Sequence, residues 1–512
     1  MRGNGQGMGG GVRSRWTRGL IRPRGKRRWC AGACILALAG CSATSTSHPL
    51  DGSRPANGSS TSTSTLKPRD TVHQLLAADG HAGDNFGGAL WYNTFEKPVK
   101  PVYVATPGEA ALSSDGTVAV VGAPGSRAAG KQGAGSVYVY TLQNGRWSQS
   151  AKLTADDAAP YDALGWSVSI SGDGHSVLAG APYADVGANA DVGAAYSFRE
   201  TGGKWAQVAK LASVDSTAYD SFGWSVGLSR DGATAIVGAT GHDVGFFKDA
   251  GAAYVFRRDV VAATKWTETR RLTATAPTLA GELGGAAALS ADGSTAAVTE
   301  LTHFDSQHVL HTGATLIFAS NDGWHTSAQR ARFPDPNHNS NGDTDAYGVN
   351  AVLSDDGKVV AIAAPDVNVG TAGGAGATFV YSTTGDWRVP AESSSLSLFP
   401  HDPRPFLYYG SSVALSADGT RLFVGIDGAG IDDQGAAEIV ALTRRAPAAL
   451  RAESRTPVAP PNTTKGRFGT AVALSADGTT ALGTSPWFAV GRAAMRGSAY
   501  VLTLPAPGAT RP

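Results

Sequence analysis

The sequence predicts an all-β fold: a single seven-bladed β-propeller of four-stranded antiparallel blades, closed by pairing the N-terminal strand with the C-terminal strands. Three observations predict it. The pattern Leu/Ile-Ser-x-Asp-Gly occurs seven times, first as Leu112-Ser113-Ser114-Asp115-Gly116 and last ending at Gly478. Its aspartates (Asp115, Asp173, Asp231, Asp292, Asp356, Asp418, Asp477) are spaced by 58, 58, 61, 64, 62 and 59 residues. That period exceeds a helical hairpin or a leucine-rich coil and holds four short strands with their turns, which is one blade. Finally, the segments between the tetrads are short apolar runs rich in β-branched and aromatic residues, bounded by glycine, asparagine or aspartate.

The unit around Asp231 shows the elements in order. Ala209-Lys210-Leu211 ends an outer strand, and Phe222-Gly223-Trp224-Ser225-Val226-Gly227-Leu228 forms the next inner strand. The tetrad turn follows, then Ala235-Ile236-Val237-Gly238, then Gly251-Ala252-Ala253-Tyr254-Val255-Phe256. Asp-Gly between two apolar runs is a hairpin signal, because glycine tolerates positive φ and the aspartate bonds back to the turn backbone. A sialidase-type Asp-box uses the same residue types but needs a tryptophan soon after the glycine. Here Thr117-Val118-Ala119 or Thr420-Arg421-Leu422 follows, so the tetrad reads as a structural turn. Gly165, Gly223, Gly284, Gly348, Gly410 and Gly469 each follow a large apolar residue and are expected where adjacent blades approach near the axis. Trp147, Trp205, Trp266, Trp324 and Trp387, each after a turn and before an outer strand, are expected to pack between blades.

The N-terminal region differs in character. Residues 1–28 hold nine basic residues and no acid, residues 31–40 are small and apolar, and Leu38-Ala39-Gly40 precedes Cys41. That order predicts a secretory signal over residues 1–40, and the apolar stretch is short for a membrane span. Leu-Ala-Gly-Cys resembles the bacterial lipobox, which implies lipidation of Cys41 after cleavage. Ser42 after the cysteine implies sorting to the outer membrane in such lipoproteins. Residues 41–70 then form a Ser/Thr-rich tether, 71–504 the propeller, and 505–512 a tail.

Composition narrows the function classes. The three cysteines are Cys30, Cys34 and Cys41, so the part after the leader has no intramolecular disulfide to form. Nine of the 43 basic residues lie in the leader; without them the formal charge changes from +1 to about −8. That balance argues against nucleic acid as a partner. No Gly-x-Ser-x-Gly elbow and no glycine-rich phosphate loop occurs, so no catalytic residue is assigned. His303, His308, His311 and His325 are close in sequence, with spacings that fit no compact zinc motif.

Phe86-Gly87, Leu164-Gly165-Trp166, Phe222-Gly223-Trp224, Tyr347-Gly348 and Phe468-Gly469 are similar to an "FG" element, and Gly122-Ala123-Pro124, Gly180-Ala181-Pro182 and Ala363-Ala364-Pro365 to a "GAP" element. Together they resemble FG-GAP repeats, the units of the integrin α-subunit propeller, in the form found in bacterial exported proteins. The resemblance spans roughly residues 71–504; unit four departs from it, with Val298-Thr299-Glu300 in place of Gly-Ala-Pro. It implies that each repeat straddles two blades, so Val72-His73-Gln74-Leu75-Leu76 should pair beside Gly497-Ser498-Ala499-Tyr500-Val501-Leu502.

The resemblance also raises calcium, bound in that family by an Asp-x-Asp/Asn-x-Asp-Gly-x-x-Asp loop. The seven tetrad turns are shorter and lack the other acids. One segment elsewhere has the alternation of oxygen side chains: Asp335, Asn337, Asn339, Asn341, Asp343 and Asp345, with Gly342 among them. It reads either as a calcium loop or as an Asx-rich surface loop. Asp185, Asn189 and Asp191, with Asp243 and Asp249 one repeat later, form a second candidate set.

The functional expectation is a membrane-anchored envelope lipoprotein. Its propeller would serve as a non-enzymatic binding module for a protein or carbohydrate, and the chain would be monomeric. The alternative is a secreted polysaccharide-acting hydrolase or lyase with a site built from loops at the axis.

Overall fold

The computed structural model describes residues 72–88, 109–259, 264–301, 303–304, 310–311, 313–337, 345–388, 393–428, 434–445, 449–460, 465–489 and 496–506. Residues 1–71, on which the expected signal segment, Cys41 and the expected tether fall, and residues 507–512 lie outside them. Seven four-stranded antiparallel sheets follow one another along the chain. The first blade contains Ala110–Leu112, Val118–Ala123, Ser136–Gln143 and Arg146–Leu153, ordered from axis to rim. Closure occurs as expected. Val72–Leu75 pairs with Ser498–Thr503 in the register Val72 to Leu502 and Leu75 to Ala499, completing the seventh blade as its outer strand. No helix occurs among the described residues.

Each tetrad folds identically. Ser113 Oγ donates to Asp115 Oδ1 at 2.6 Å while accepting from the Val118 amide at 2.9 Å, and Asp115 Oδ1 accepts from the Thr117 amide at 3.0 Å. The six other turns repeat these contacts, for example Ser229 with Asp231 at 2.6 Å and the Thr234 amide with Ser229 Oγ at 2.9 Å. Burial pushes the Asp115 carboxyl up, but the Ser113 hydroxyl and the Thr117 amide and hydroxyl outweigh it and leave it below its ordinary value.

The variable second residue of the tetrad joins the blades. The Ser114 amide donates to Gly172 O at 3.0 Å, Gly172 to Arg230 at 2.8 Å, Arg230 to Ala291 at 2.9 Å and Ala291 to Asp355 at 3.0 Å. Asp355 then donates to Ala417, Ala417 to Ala476, and Ala476 back to Ser114, each at 2.9 Å. Seven backbone hydrogen bonds thus form a closed circuit at one end of the disc. Because every member lends one N–H and one C=O, the circuit is indifferent to its side chains.

At the other end, glycines set the spacing between blades. A Cβ on Gly180 would lie 1.9 Å from Gly223 O, and one on Gly122 2.0 Å from Gly165 O. Only a missing side chain permits that approach. The inner-strand serine opposite the GAP glycine seals the contact: Ser167 Oγ donates to Gly223 O at 3.0 Å, and Ser225 Oγ to Gly284 O at 2.7 Å. Unit four moves the hydroxyl to the other strand, with Ala286 on the inner one and Thr299 Oγ1 donating to Gly348 O at 2.7 Å. Its departure from Gly-Ala-Pro therefore keeps the same inter-blade bond.

Between residues 300 and 345 lie the third strand Ala314–Ala319 and the outer strand Ala328–Pro334 of blade four, plus a small hairpin of His303–Phe304 with Leu310–His311. The tryptophans pack in the hydrophobic clusters between blades in two ways. Trp147, Trp205 and Trp266 sit half-buried on outer strands. Trp324 and Trp387 occupy turns with φ of 72° and 70°, and their indole N–H groups donate to the tetrad carbonyls of Gly293 and Gly357 at 2.6 and 2.8 Å.

Candidate functional site

An axial cavity of about 270 Å³ is lined by the seven inner strands, from Ala110–Leu112 through Val472–Leu474. Its lining is small and apolar, with Ser169, Ser225 and Asn350 as the polar side chains and no acid or base. Across the circuit end, Arg230 Nη2 pairs with Asp355 Oδ2 at 2.6 Å, bridging blades three and five. Burial pushes the Asp355 carboxyl up and Arg230 opposes it. Beside the cavity, Glu109 is fully buried, and among the described residues its carboxyl oxygens meet no hydrogen-bonding partner. Burial raises its carboxyl well above the ordinary range.

The opposite end carries the connectors between blades and the loops after the GAP strands. The connectors into blades one, two and three are each clasped to the blade they enter. Asp79 accepts from Tyr138 Oη at 2.8 Å and pairs with Lys152 at 2.6 Å; Asp157 does the same with Tyr196 and Lys210, and Asp215 with Tyr254 and Arg271. A second aspartate, two residues before the FG aromatic, accepts a connector amide: Asp84 from His81 at 2.6 Å, Asp162 from Ala159 at 2.6 Å, Asp220 from Thr217 at 2.9 Å. Burial pushes the Asp162 carboxyl up to about 6. In blade three His242 Nδ1 lies 3.0 Å from Asp220 Oδ2, both buried. The sequence signal for the clasp was a Lys/Arg-Leu pair followed by an aspartate, and it was missed because the partners meet across a connector.

The candidate calcium residues fall in two places. Asp335, buried, follows the outer strand of blade four and accepts the Asn337 amide at 3.0 Å. Asp345, also buried, occupies the position of Asp84, Asp162 and Asp220 before its FG element, so the repeat accounts for it without a cation. Asn339, Asn341 and Asp343 lie outside the described residues. Asp185 caps its own loop by accepting the Asp191 amide at 2.9 Å, with Val186 and Asn189 bridged inside that loop. Asp243 does the same for the Asp249 amide at 3.0 Å and pairs with Lys248. Asn368 accepts the Gly374 amide at 2.9 Å in the corresponding loop of blade five. Among the described residues no group of three or more His, Cys, Asp or Glu is placed to hold a metal. The tetrad oxygens, engaged by hydroxyls and amides, do not fit a cation either. His303 pairs in register with His311 in the hairpin at the loop end, whereas His325 lies in the turn before the outer strand, at the circuit end; His308 is outside the described residues.

Among the described residues, large exposed apolar side chains are confined to the loop end. The large hydrophobic side chains exposed among the described residues are Tyr161, Val186, Val214, Tyr219, Phe246, Phe247, Leu279 and Phe406, and all eight lie on connectors or post-GAP loops. Phe246 is 99 % exposed and Val214 95 %. Tyr161, Tyr219 and Phe406 occupy equivalent connector positions with φ of 71°, 73° and 60°. Left-handed backbone at a bulky residue is costly and persists where the surroundings impose it. Here the imposing contacts are amide bonds to the preceding loop: Tyr161 to Gln132 O at 3.0 Å, Tyr219 to Ala190 O and Phe406 to Gly373 O, both at 2.9 Å.

The FG-GAP repeat family model matches residues 147–198 and 205–256, the second and third units. The chain is thus a seven-bladed β-propeller with FG-GAP repeats in these two units. No curated protein matches. Among solved structures, the chain is similar to Kuenenia stuttgartiensis hydrazine synthase (12% identity, TM-score 0.47, covering 77% of this chain and 96% of that one). It is also similar to the WD40 repeats of RRP9 (9% identity, TM-score 0.46, covering 86% and 98%).

Proposed function

We propose that this FG-GAP β-propeller is a binding module displayed at the bacterial cell envelope, anchored by a lipid on Cys41 and engaging its ligand through the loop end. The observation that carries the reading is the one-sided distribution of exposed apolar side chains. Contiguous apolar exposure rimmed by polar groups marks interaction surfaces in soluble proteins. The opposite end is closed by the backbone circuit and carries none of the eight.

Chain direction agrees with this arrangement. Val72 lies opposite Leu502, near the tetrad of the closing blade, so the chain enters the disc at the circuit end. A lipidated Cys41 would tether that end to the membrane, leaving the loop end facing outward. The alternative, a polysaccharide hydrolase or lyase with its site at the axis, would need paired carboxylates there. The cavity lining has none, and Glu109 beside it is single.

Metabolic labelling with a fatty-acid analogue is expected to tag the full chain and not its Cys41→Ser variant. Equal membrane retention of that variant would remove the anchor from the proposal. Capture of partners from native envelopes should be lost when Tyr161, Tyr219, Phe246 and Phe247 are together replaced by serine; unchanged capture would remove the loop end.

A further inference from the structure

The charge around the exposed apolar side chains is strongly one-sided. Seven of the eight lie on consecutive loops of blades two to four: residues 154–163, 182–193, 212–221, 240–250 and 273–282. These loops hold ten acidic residues and one basic residue, Lys248. The corresponding loops of blades seven and one, residues 459–467, 486–497, 76–85 and 124–135, hold two acids and six bases. Clasps offset part of the acidic excess, since Asp157 and Asp215 pair with Lys210 and Arg271. Asp156 and Asp185 are exposed.

Four of these loops, residues 182–193, 212–221, 240–250 and 273–282, form one continuous surface. The Tyr219 amide bonds to Ala190 of the neighbouring loop at 2.9 Å, Tyr219 O abuts Gly241, and the Ala280 amide bonds to Lys248 O at 2.7 Å. At its centre Gly245-Phe246-Phe247-Lys248 is a tight hairpin tip, closed by mutual amide bonds of Val244 and Phe247 at 3.0 Å. That tip presents Phe246 clear of every neighbour. A rigid, protruding aromatic is the kind of group that anchors an interface by entering a pocket. Acidic surroundings steer positively charged partners to it and repel anionic ones.

We infer that the loops of blades two to four form a docking surface for a cationic polypeptide segment bearing apolar side chains. Its apolar groups would meet Phe246, Phe247, Tyr219 and Leu279, and its Lys or Arg side chains the exposed Asp156 and Asp185. The inference rests on the loop end being the ligand-binding end and adds the ligand's chemistry and the arc that takes it.

The test uses the full-length chain with four probes. Three are twelve-residue peptides with leucine at alternate positions and lysine, glutamate or serine between; the fourth is cellohexaose. Titration calorimetry at 50 and 300 mM salt measures affinity, and hydrogen exchange maps the contact. The lysine–leucine peptide alone should bind, at least tenfold more weakly at the higher salt, protecting residues 212–221 and 240–250. Phe246→Ser/Phe247→Ser should weaken it at least tenfold without lowering the melting temperature. Binding of another probe to these loops with equal affinity overturns the inference while leaving the loop end as the binding end; protection at the tetrad turns overturns both. Absence of binding by the lysine–leucine peptide, or self-association of the chain through these loops, overturns the inference.

Discussion

The two ends of this disc are built from the same seven repeats and differ in what repeats. At the circuit end every blade contributes the same serine, aspartate and glycine, in the same turn, with hydrogen-bond lengths that agree within 0.2 Å from blade to blade. At the loop end only the parts that hold blades together recur, namely the FG glycine, the Asp–Tyr–Lys clasps and the loop-capping Asp185, Asp243 and Asn368. The side chains these devices present to solvent vary from blade to blade. Repetition therefore reports on what a repeat needs to stack, and exposed residues that break it are the place to look for a ligand.

Removing residues 72–79 should produce the largest effect on either end, because it acts on both. The deletion takes away the outer strand of the closing blade, with its four paired residues, and the Asp79 clasp on Tyr138 and Lys152. The ring would be left with an unpaired strand edge and buried Leu75 would be lost. A loss of several kcal/mol is expected on the scale of strand burial, read as a broadened, lower thermal transition. A transition like that of the intact chain would show that closure contributes little.

A smaller effect separates the ends directly. Ser229 is buried, and its hydroxyl serves the Asp231 carboxylate and the Thr234 amide together, so Ser229→Ala should cost about 1–3 kcal/mol. Asp185→Ala removes a comparable cap at the loop end, but the Asp191 amide it serves can turn to water, and the cost should stay below about 1 kcal/mol. Chemical denaturation of the two variants checks the ordering. The reverse ordering would mean that the loops, not the turns, carry the fold.

Much of this architecture was legible in the sequence, for identifiable reasons. Seven tetrads at near-constant spacing announce seven blades, and the straddling of blades that the FG-GAP resemblance implies announces the closing strand Val72–Leu75. The circuit through Ser114, Gly172 and Arg230 was invisible, since backbone bonding leaves no trace in side-chain identity. Phe246 and Phe247 read as core residues as easily as surface ones, and only the folded loop reveals a tip with Phe246 fully exposed. The calcium reading of residues 335–345 rests on spacing, and Asp345 also occupies the place that Asp84, Asp162 and Asp220 take before their FG elements.

The least conspicuous prediction concerns the sign of a pH effect in one blade. Asp162, at the loop end, is raised by burial to about 6, so the native state binds its proton more tightly than the unfolded chain does. Its contribution is therefore unfavourable at neutral pH and fades as pH falls from about 6 to 4. Asp173, at the circuit end, is pushed up by burial but held below its ordinary value by Ser171 and the His175 amide. It therefore stabilises the fold above the usual carboxylate range and loses that contribution as pH falls. Asp162→Asn keeps the acceptor for the Ala159 amide and removes the buried charge, so it should gain about 1–2 kcal/mol at pH 7.5 and nothing near pH 4. Asp173→Asn should be mildly destabilising at pH 7.5 and converge on the wild type under acid. Denaturation midpoints across that range are the measurement; a destabilised Asp162→Asn at pH 7.5 would mean that its carboxylate, like that of Asp173, is held by its bonds more strongly than burial opposes it.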